Sequence, residues 1–242
     1  MEEFYEIMRY LPASYKSPEE QNYNANLVEL FPIAYDAGKY DFALFSCHML
    51  YMSFVFFSLW QIKKALPNEF ASSMVGFQKD EETRISNAQT PYVFSSIKEK
   101  TVFRFFKLLG CKNEAIGKFA KLVDYRNDIA HPNGIIQCKE QKDADFRLSE
   151  VLAQMKAIQL CMIPVIHSCL REFLLSSGNP DTREYPDPTD QIREILIHAN
   201  YFSEKDIEAC LSFDISELAE CEGYQEITAL YQAFTIQHSI SD

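Results

Sequence analysis

Between Asp41 and Gln61 nineteen consecutive residues, Phe42 to Trp60, carry no charge, and five of them are phenylalanines. A helix over this run, from Lys39 to Leu66, is apolar nearly all round, so every one of its faces needs cover. By length the run is a candidate membrane span. Ser46, His48, Ser53 and Ser58 interrupt it, and no second such run stands out along the chain. The centre of a helical bundle or dimer is therefore the favoured reading. His48 then reads as a hydrogen-bonded core histidine sooner than a catalytic one.

The remaining sequence supplies helices to wrap that centre. Residues Glu2 to Tyr10 have helical character. Ser17-Pro18-Glu19-Glu20 is a helix start, with an N-cap serine, proline at the first helical position and acids in the first turn. That helix runs towards Gly38, with Pro32 expected to kink or interrupt it. Asn68 to Gly76 suits a short helix, and Gln78 to Thr90 is polar enough to read as a loop before Pro91. Tyr92 to Leu109 is expected as one helix with Val93, Ile97, Val102, Phe105 and Phe106 inward. Gly110 ends it, and Asn113 is expected to cap a helix reaching Ala130. A long helix from about Ala144 to Leu175 follows, kinked near Pro164. The stretch Ser176 to Pro188 is the one obvious linker, followed by three shorter helices over Asp190–Ala199, Ser203–Leu211 and Ile215–Phe234. No strand-period run, phosphate-cradling glycine loop or repeat appears. The expected fold is all-α: a helical bundle over 1–178 and a small acidic helical appendage over 187–242.

Charge is unevenly spread. The chain is net −12, yet residues 181–242 hold fourteen acids against three bases, and residues 95–142 hold ten bases against five acids. A locally basic segment on a near-neutral body is what phosphate binding needs. The acidic appendage is expected either to dock on residues 95–142 in competition with an anionic ligand, or to recruit a partner. Seven scattered cysteines without a Cys-x-x-Cys pair indicate buried thiols in a reducing compartment and no zinc site. The acidic start Met1-Glu2-Glu3 is unlike a signal peptide, so the expected location is the cytoplasm, with no membrane association.

Within the basic segment, Arg126-Asn127-Asp128-Ile129-Ala130-His131 closes an amphipathic helix at Pro132-Asn133-Gly134. Pro132 disfavours helical geometry at His131, so the imidazole sits where the helix unwinds. In an unbroken helix residues five apart point to different faces; unwinding, or a two-fold dimer, is needed to bring Arg126 and His131 together. A guanidinium clamps phosphate oxygens, and an imidazole titrating near neutrality moves protons. Asn127 is placed to position phosphate or ring, with Asp128 as possible support. The bland alternative is an Arg126–Asp124 ion pair beside a helix-terminal histidine.

This segment resembles the signature of HEPN domains, in which an arginine is followed by a polar residue and, after a short spacer, a histidine. The resemblance implies a metal-independent endoribonuclease of the toxin–antitoxin or antiviral-defence type, requiring no cofactor and dimerising to form its cleft. It implies Arg126, His131 and Asn127 as catalytic residues. The basic residues Lys121, Lys118, Lys107 and Arg104 are expected on the RNA. Base and acid roles with one histidine per chain also favour a homodimer, and an antitoxin or regulatory protein is a further expected partner. HEPN toxins silenced by nucleotidyltransferase antitoxins carry a tyrosine two residues after the histidine; here Asn133 stands there. A different class of reading is a catalytically silent HEPN-like adaptor that binds nucleotide, RNA or protein. A second Arg-x4-His, Arg193 to His198, lies among acids that repel phosphate and reads as a solvated helix face.

Overall fold

The uncharged run forms α3 (Tyr40–Ala65), in a computed structural model that describes residues 1–131 and 134–239. Along it Ala43, Leu44, Cys47, Leu50, Tyr51, Val55, Leu59 and Ile62 are all buried. The helix is clad by α2 (Pro18–Asp36), α7 (Asn113–Ala130), α8 (Gln141–Ser177) and a 3-10 turn over Pro91–Ser96. The protein is thus an all-α helical bundle. Among the described residues the extended pairing is limited to an isolated bridge between Pro12 and Ser203. Before α2 comes α1 (Glu2–Met8), whose Phe4 ring stacks on Phe31 at 3.8 Å between centroids.

Two helices, α3 and α8, are long and apolar enough to cross a membrane by length and composition. The expectation of a single such run is corrected by α8, whose charges cluster towards its ends and leave Ala157 to Leu170 uncharged. In α3, 83 % of the most apolar window is buried inside the protein.

Local chemistry explains most element ends. Ser17 caps α2 by accepting the Glu20 N–H at 3.2 Å. Pro32 stays inside α2, which continues to Asp36. After α4 (Pro67–Ser73), the polar stretch expected as a loop contains α5 (Lys79–Ser86). Glu81 accepts the N–H of Gln78 at 3.1 Å, satisfying one end of the helix, and Ile85 alone of its residues is buried. One buried position is too few to leave a periodic trace in sequence.

The single helix expected over Tyr92–Leu109 is instead the Pro91–Ser96 turn, a short α6 (Glu99–Val102) and a 3-10 helix over Phe103–Leu109. The residues account for this. Val102-Phe103-Arg104-Phe105-Phe106-Lys107-Leu108-Leu109 repeats two apolar residues and one cation with a period of three. At three residues per turn that pattern gives two apolar faces and one cationic face. Val102, Phe103, Phe105 and Phe106 are buried, and Arg104 and Lys107 are exposed. Gly110, at φ 77°, terminates it. Lys112, not Asn113, occupies the N-cap of α7.

After the linker come α9 (Pro188–Gln191), a π-helical stretch over Ile192–His198, α10 (Glu204–Cys210), a 3-10 turn over Ile215–Leu218 and α11 (Tyr224–His238). One cluster of buried apolar side chains runs from Phe4 to Phe234 and includes both sides of the linker. At Gly178, which ends α8, α11 approaches so closely that an added Cβ meets Ile227 Cγ1 at 2.6 Å. Among the described residues the polar contacts of side chains between the acidic segment and the body run to Glu6, Arg9, Ser14, Lys16, Glu20, Gln61, Lys64, Gln159, His167 and Ser177, all outside residues 95–142. Asp206 is the centre of this join. Its carboxylate accepts from the Ser203 N–H at 2.9 Å, from Gln159 Nε2 at 2.7 Å and from Gln61 Nε2 at 3.2 Å. Burial pushes its carboxyl above the usual range although all three donors act in the opposite direction.

The helix carrying Arg126 is tied to α3 by the fully buried Tyr51, whose hydroxyl donates to the Phe119 carbonyl at 3.1 Å. Tyr51→Phe removes this bond while the Phe119 carbonyl keeps its helical donor, and is expected to lower stability by about 0.5–1.5 kcal/mol. Urea unfolding followed by far-UV circular dichroism measures the loss, with the folded spectrum unchanged.

Candidate functional site

Ile116, Phe119 and Val123 turn inward and seat α7 on the bundle. One turn further on, Arg126 is half-buried with its side chain 21 % exposed. The helix ends at Ala130. His131 has an extended backbone, φ −86° and ψ 138°, while its N–H still donates to the Asn127 carbonyl at 3.0 Å. Its side chain is exposed. Pro132 and Asn133, and with them the position of the expected tyrosine, lie outside the described residues.

Arg126 does not pair with Asp124. Its Nη2 contacts the Glu99 carboxylate at the start of α6, and the same Glu99 oxygen lies 3.5 Å from His48 Nε2 on α3. Asp124 instead pairs with Lys100. Burial opposes ionisation of Glu99, yet His48 and Arg126 outweigh it and hold the carboxyl at about 2. Burial pushes the His48 imidazole below its ordinary value, against the pull of Glu99. At neutral pH His48 is therefore uncharged, and Arg126 is the permanent partner of Glu99. Arg126 Nε is buried without a hydrogen-bond partner among the described residues.

This group borders a cleft of about 240 Å³ lined by Leu44, His48, Lys121, Leu122, Asp124, Tyr125, Arg126, Asp128, Arg147, Glu150 and Val151. Arg147 stacks over the Tyr125 ring at 4.4 Å and pairs with Glu150 at 2.6 Å. Three cations thus face three carboxylates, so the cleft itself is close to neutral despite the basic segment around it. His131 is not part of the lining.

Of the residues expected from sequence, the cleft collects Arg126, Lys121 and Asp128. Asn127 is half-buried beside it. Lys118 is exposed and paired with Glu114 at 2.8 Å. Arg104 and Lys107 border a different cavity. In the second Arg-x4-His, Arg193 is held by Asp190 and Glu194, and His198 Nδ1 lies 3.0 Å from Ser14 Oγ. His48 and Glu99 were missed as site residues, because their approach to Arg126 depends on three separate helices meeting. The available signal was a titratable group within an otherwise uncharged run.

In comparisons with family models, curated proteins and solved structures, nothing matched this chain.

The Glu99 carboxyl is depressed relative to an unfolded chain, so its contribution to stability is present above the ordinary glutamate range and is lost as pH falls towards 2. Glu99→Gln is expected to be less stable than wild type at neutral pH. The difference narrows through pH 4 to 2 in denaturant unfolding at a series of pH values.

Proposed function

We propose that the protein is a HEPN-type, metal-independent endoribonuclease, acting as a toxin or antiviral-defence effector. The observation that carries this reading is the placement of Arg126 on the wall of a cleft, five residues before an exposed His131 at an unwound helix end. In this reading His131 takes the proton of the RNA 2′-hydroxyl as that oxygen attacks the adjacent phosphorus. Arg126 binds the oxygens on which charge accumulates, and its donors act more strongly as the phosphorane forms. A proton delivered to the departing 5′-oxygen completes the step, leaving a 2′,3′-cyclic phosphate and a 5′-hydroxyl.

Base and acid require two imidazoles, and His131 of one chain does not line its own Arg126 cleft. The active form in this reading is a homodimer in which each copy supplies a histidine. Phe42, Ile135, Ile136 and Phe146 support it: each is more than half exposed. They gather at the same end of the molecule. Asp41 accepts the N–H groups of Gln137 at 2.9 Å and Cys138 at 2.8 Å, drawing that segment to the start of α3. Tyr35 donates to Asp145, bringing the start of α8 there too.

Glu99 favours a second reading. A carboxylate already occupying Arg126 competes with phosphate, which suits a catalytically silent HEPN-like adaptor binding nucleotide, RNA or protein. Incubation of labelled RNA in EDTA separates the two. Wild type is expected to release fragments ending in 2′,3′-cyclic phosphate, and His131→Ala to lose at least about a hundredfold in rate. Equal cleavage by both, or none by wild type, removes the nuclease assignment.

The dimer has its own test. Phe42→Asp combined with Ile136→Asp is expected to shift the protein to monomer in analytical ultracentrifugation and to lower cleavage in parallel. A monomeric variant with full activity removes the shared site.

A further inference from the structure

The 3-10 winding of Phe103–Leu109 has a result that an α-helix lacks. Residues three apart eclipse one another, about 6 Å apart along the axis. Arg104 and Lys107 therefore stand in one column, continued by Thr101 at the end of α6. All three border a cavity of about 200 Å³ between this helix and the end of α4. Its other walls are Ser73, Val75, Phe77, Phe105 and Leu108, and among the described residues no carboxylate lines it. Glu69 borders a neighbouring depression that shares Ser73 and Leu108 with this cavity.

Among the described residues neither the Arg104 nor the Lys107 side chain has an ion-pair or hydrogen-bond partner, whereas those of Lys100, Lys118 and Arg126 on neighbouring helices are paired. The side chains of Lys98, Lys112, Lys121 and Lys139 of the basic segment are likewise unpaired among the described residues, but Arg104 and Lys107 are the two that stand in one column over a cavity. The aromatic wall is rigid: Phe105 stacks on Phe70 at 4.7 Å and 7°, with Phe77 at 5.9 Å. Two donors of positive charge converge beside hydroxyls and a firm apolar wall. That combination recognises a phosphate joined to a flat, apolar group.

We propose that this cavity binds a nucleoside phosphate, either free or as the 5′-phosphorylated end of an RNA. The phosphate lies between Arg104 and Lys107 within reach of the Thr101 hydroxyl, and the base lies against Phe77 and Leu108. The site is separate from the Arg126 cleft and does not depend on the nuclease reading.

Isothermal titration calorimetry on the full chain at low salt tests it, with AMP, UMP, inorganic phosphate, and hexauridylate carrying either a 5′-phosphate or a 5′-hydroxyl. Expected are saturable binding of AMP or UMP, of the 5′-phosphorylated oligomer, or of both, and weaker binding of inorganic phosphate. The arm that binds tightest identifies the source. Arg104→Gln with Lys107→Gln is expected to weaken binding at least about tenfold. Lys98→Gln with Lys139→Gln removes the same charge elsewhere and is expected to leave it unchanged. The proposal is overturned by any of four results: no nucleotide or 5′-phosphorylated oligomer binds, inorganic phosphate binds as tightly as the nucleotides, the control pair loses as much as the site pair, or His131→Ala abolishes binding. None of these readouts uses RNA cleavage, so the fate of the nuclease reading is recorded independently.

Discussion

A helix with no polar face cannot stand in water, and the need to enclose α3 organises the molecule. Tyr51, Val55, Leu59 and Ile62 are shielded only because helices arrive from every direction. Each additional turn of apolar helix removed from water contributes several kcal/mol at about 25 cal/mol per Å². This burial also fixes the cleft, since His48 belongs to α3 and Glu99 and Arg126 belong to elements packed against it. The polar site is a by-product of the same enclosure that creates the core.

The enclosure explains which parts of the fold were legible from residues alone. Helix α3 was visible from its uncharged run, and α7 and α8 because their apolar positions recur over several turns. The start of α2 was visible because Ser17, Pro18 and the two glutamates are local signals. The region from Pro91 to Leu109 was misread because apolar residues at three-residue spacing resemble a helical stripe when the window is broad. Only the regular recurrence of a cation at Arg104 and Lys107 separates a period of three from one of 3.6. Helix α5 went unread because it buries so little.

The candidate site divides in the same way. The helix end at His131 was legible from Pro132 and the turn residues after it. The partner of Arg126 was not, because Glu99 lies 27 positions earlier and nothing local favours it over Asp124. Net charge was also a poor guide to potential at the site. The segment around the motif is basic, yet Asp124, Asp128 and Glu150 balance Lys121, Arg126 and Arg147 around the cleft. Strong fields persist where cations lack counter-charges, and that condition is met over the Arg104–Lys107 column and not beside Arg126.

Asp206 lends the acidic C-terminal region a character that its composition conceals. A surface tail rich in carboxylates ordinarily comes away without harm, but this one inserts a carboxylate between the amides of Gln61 and Gln159 and lays Tyr201 over Phe57. A protease nicking the proline-rich connection would not liberate a stable module. It would strip a lid from the hydrophobic interior and strand the buried Gln61 side chain and the half-buried Gln159. The sixty or so terminal residues behave as a keystone, held by the same core that they close.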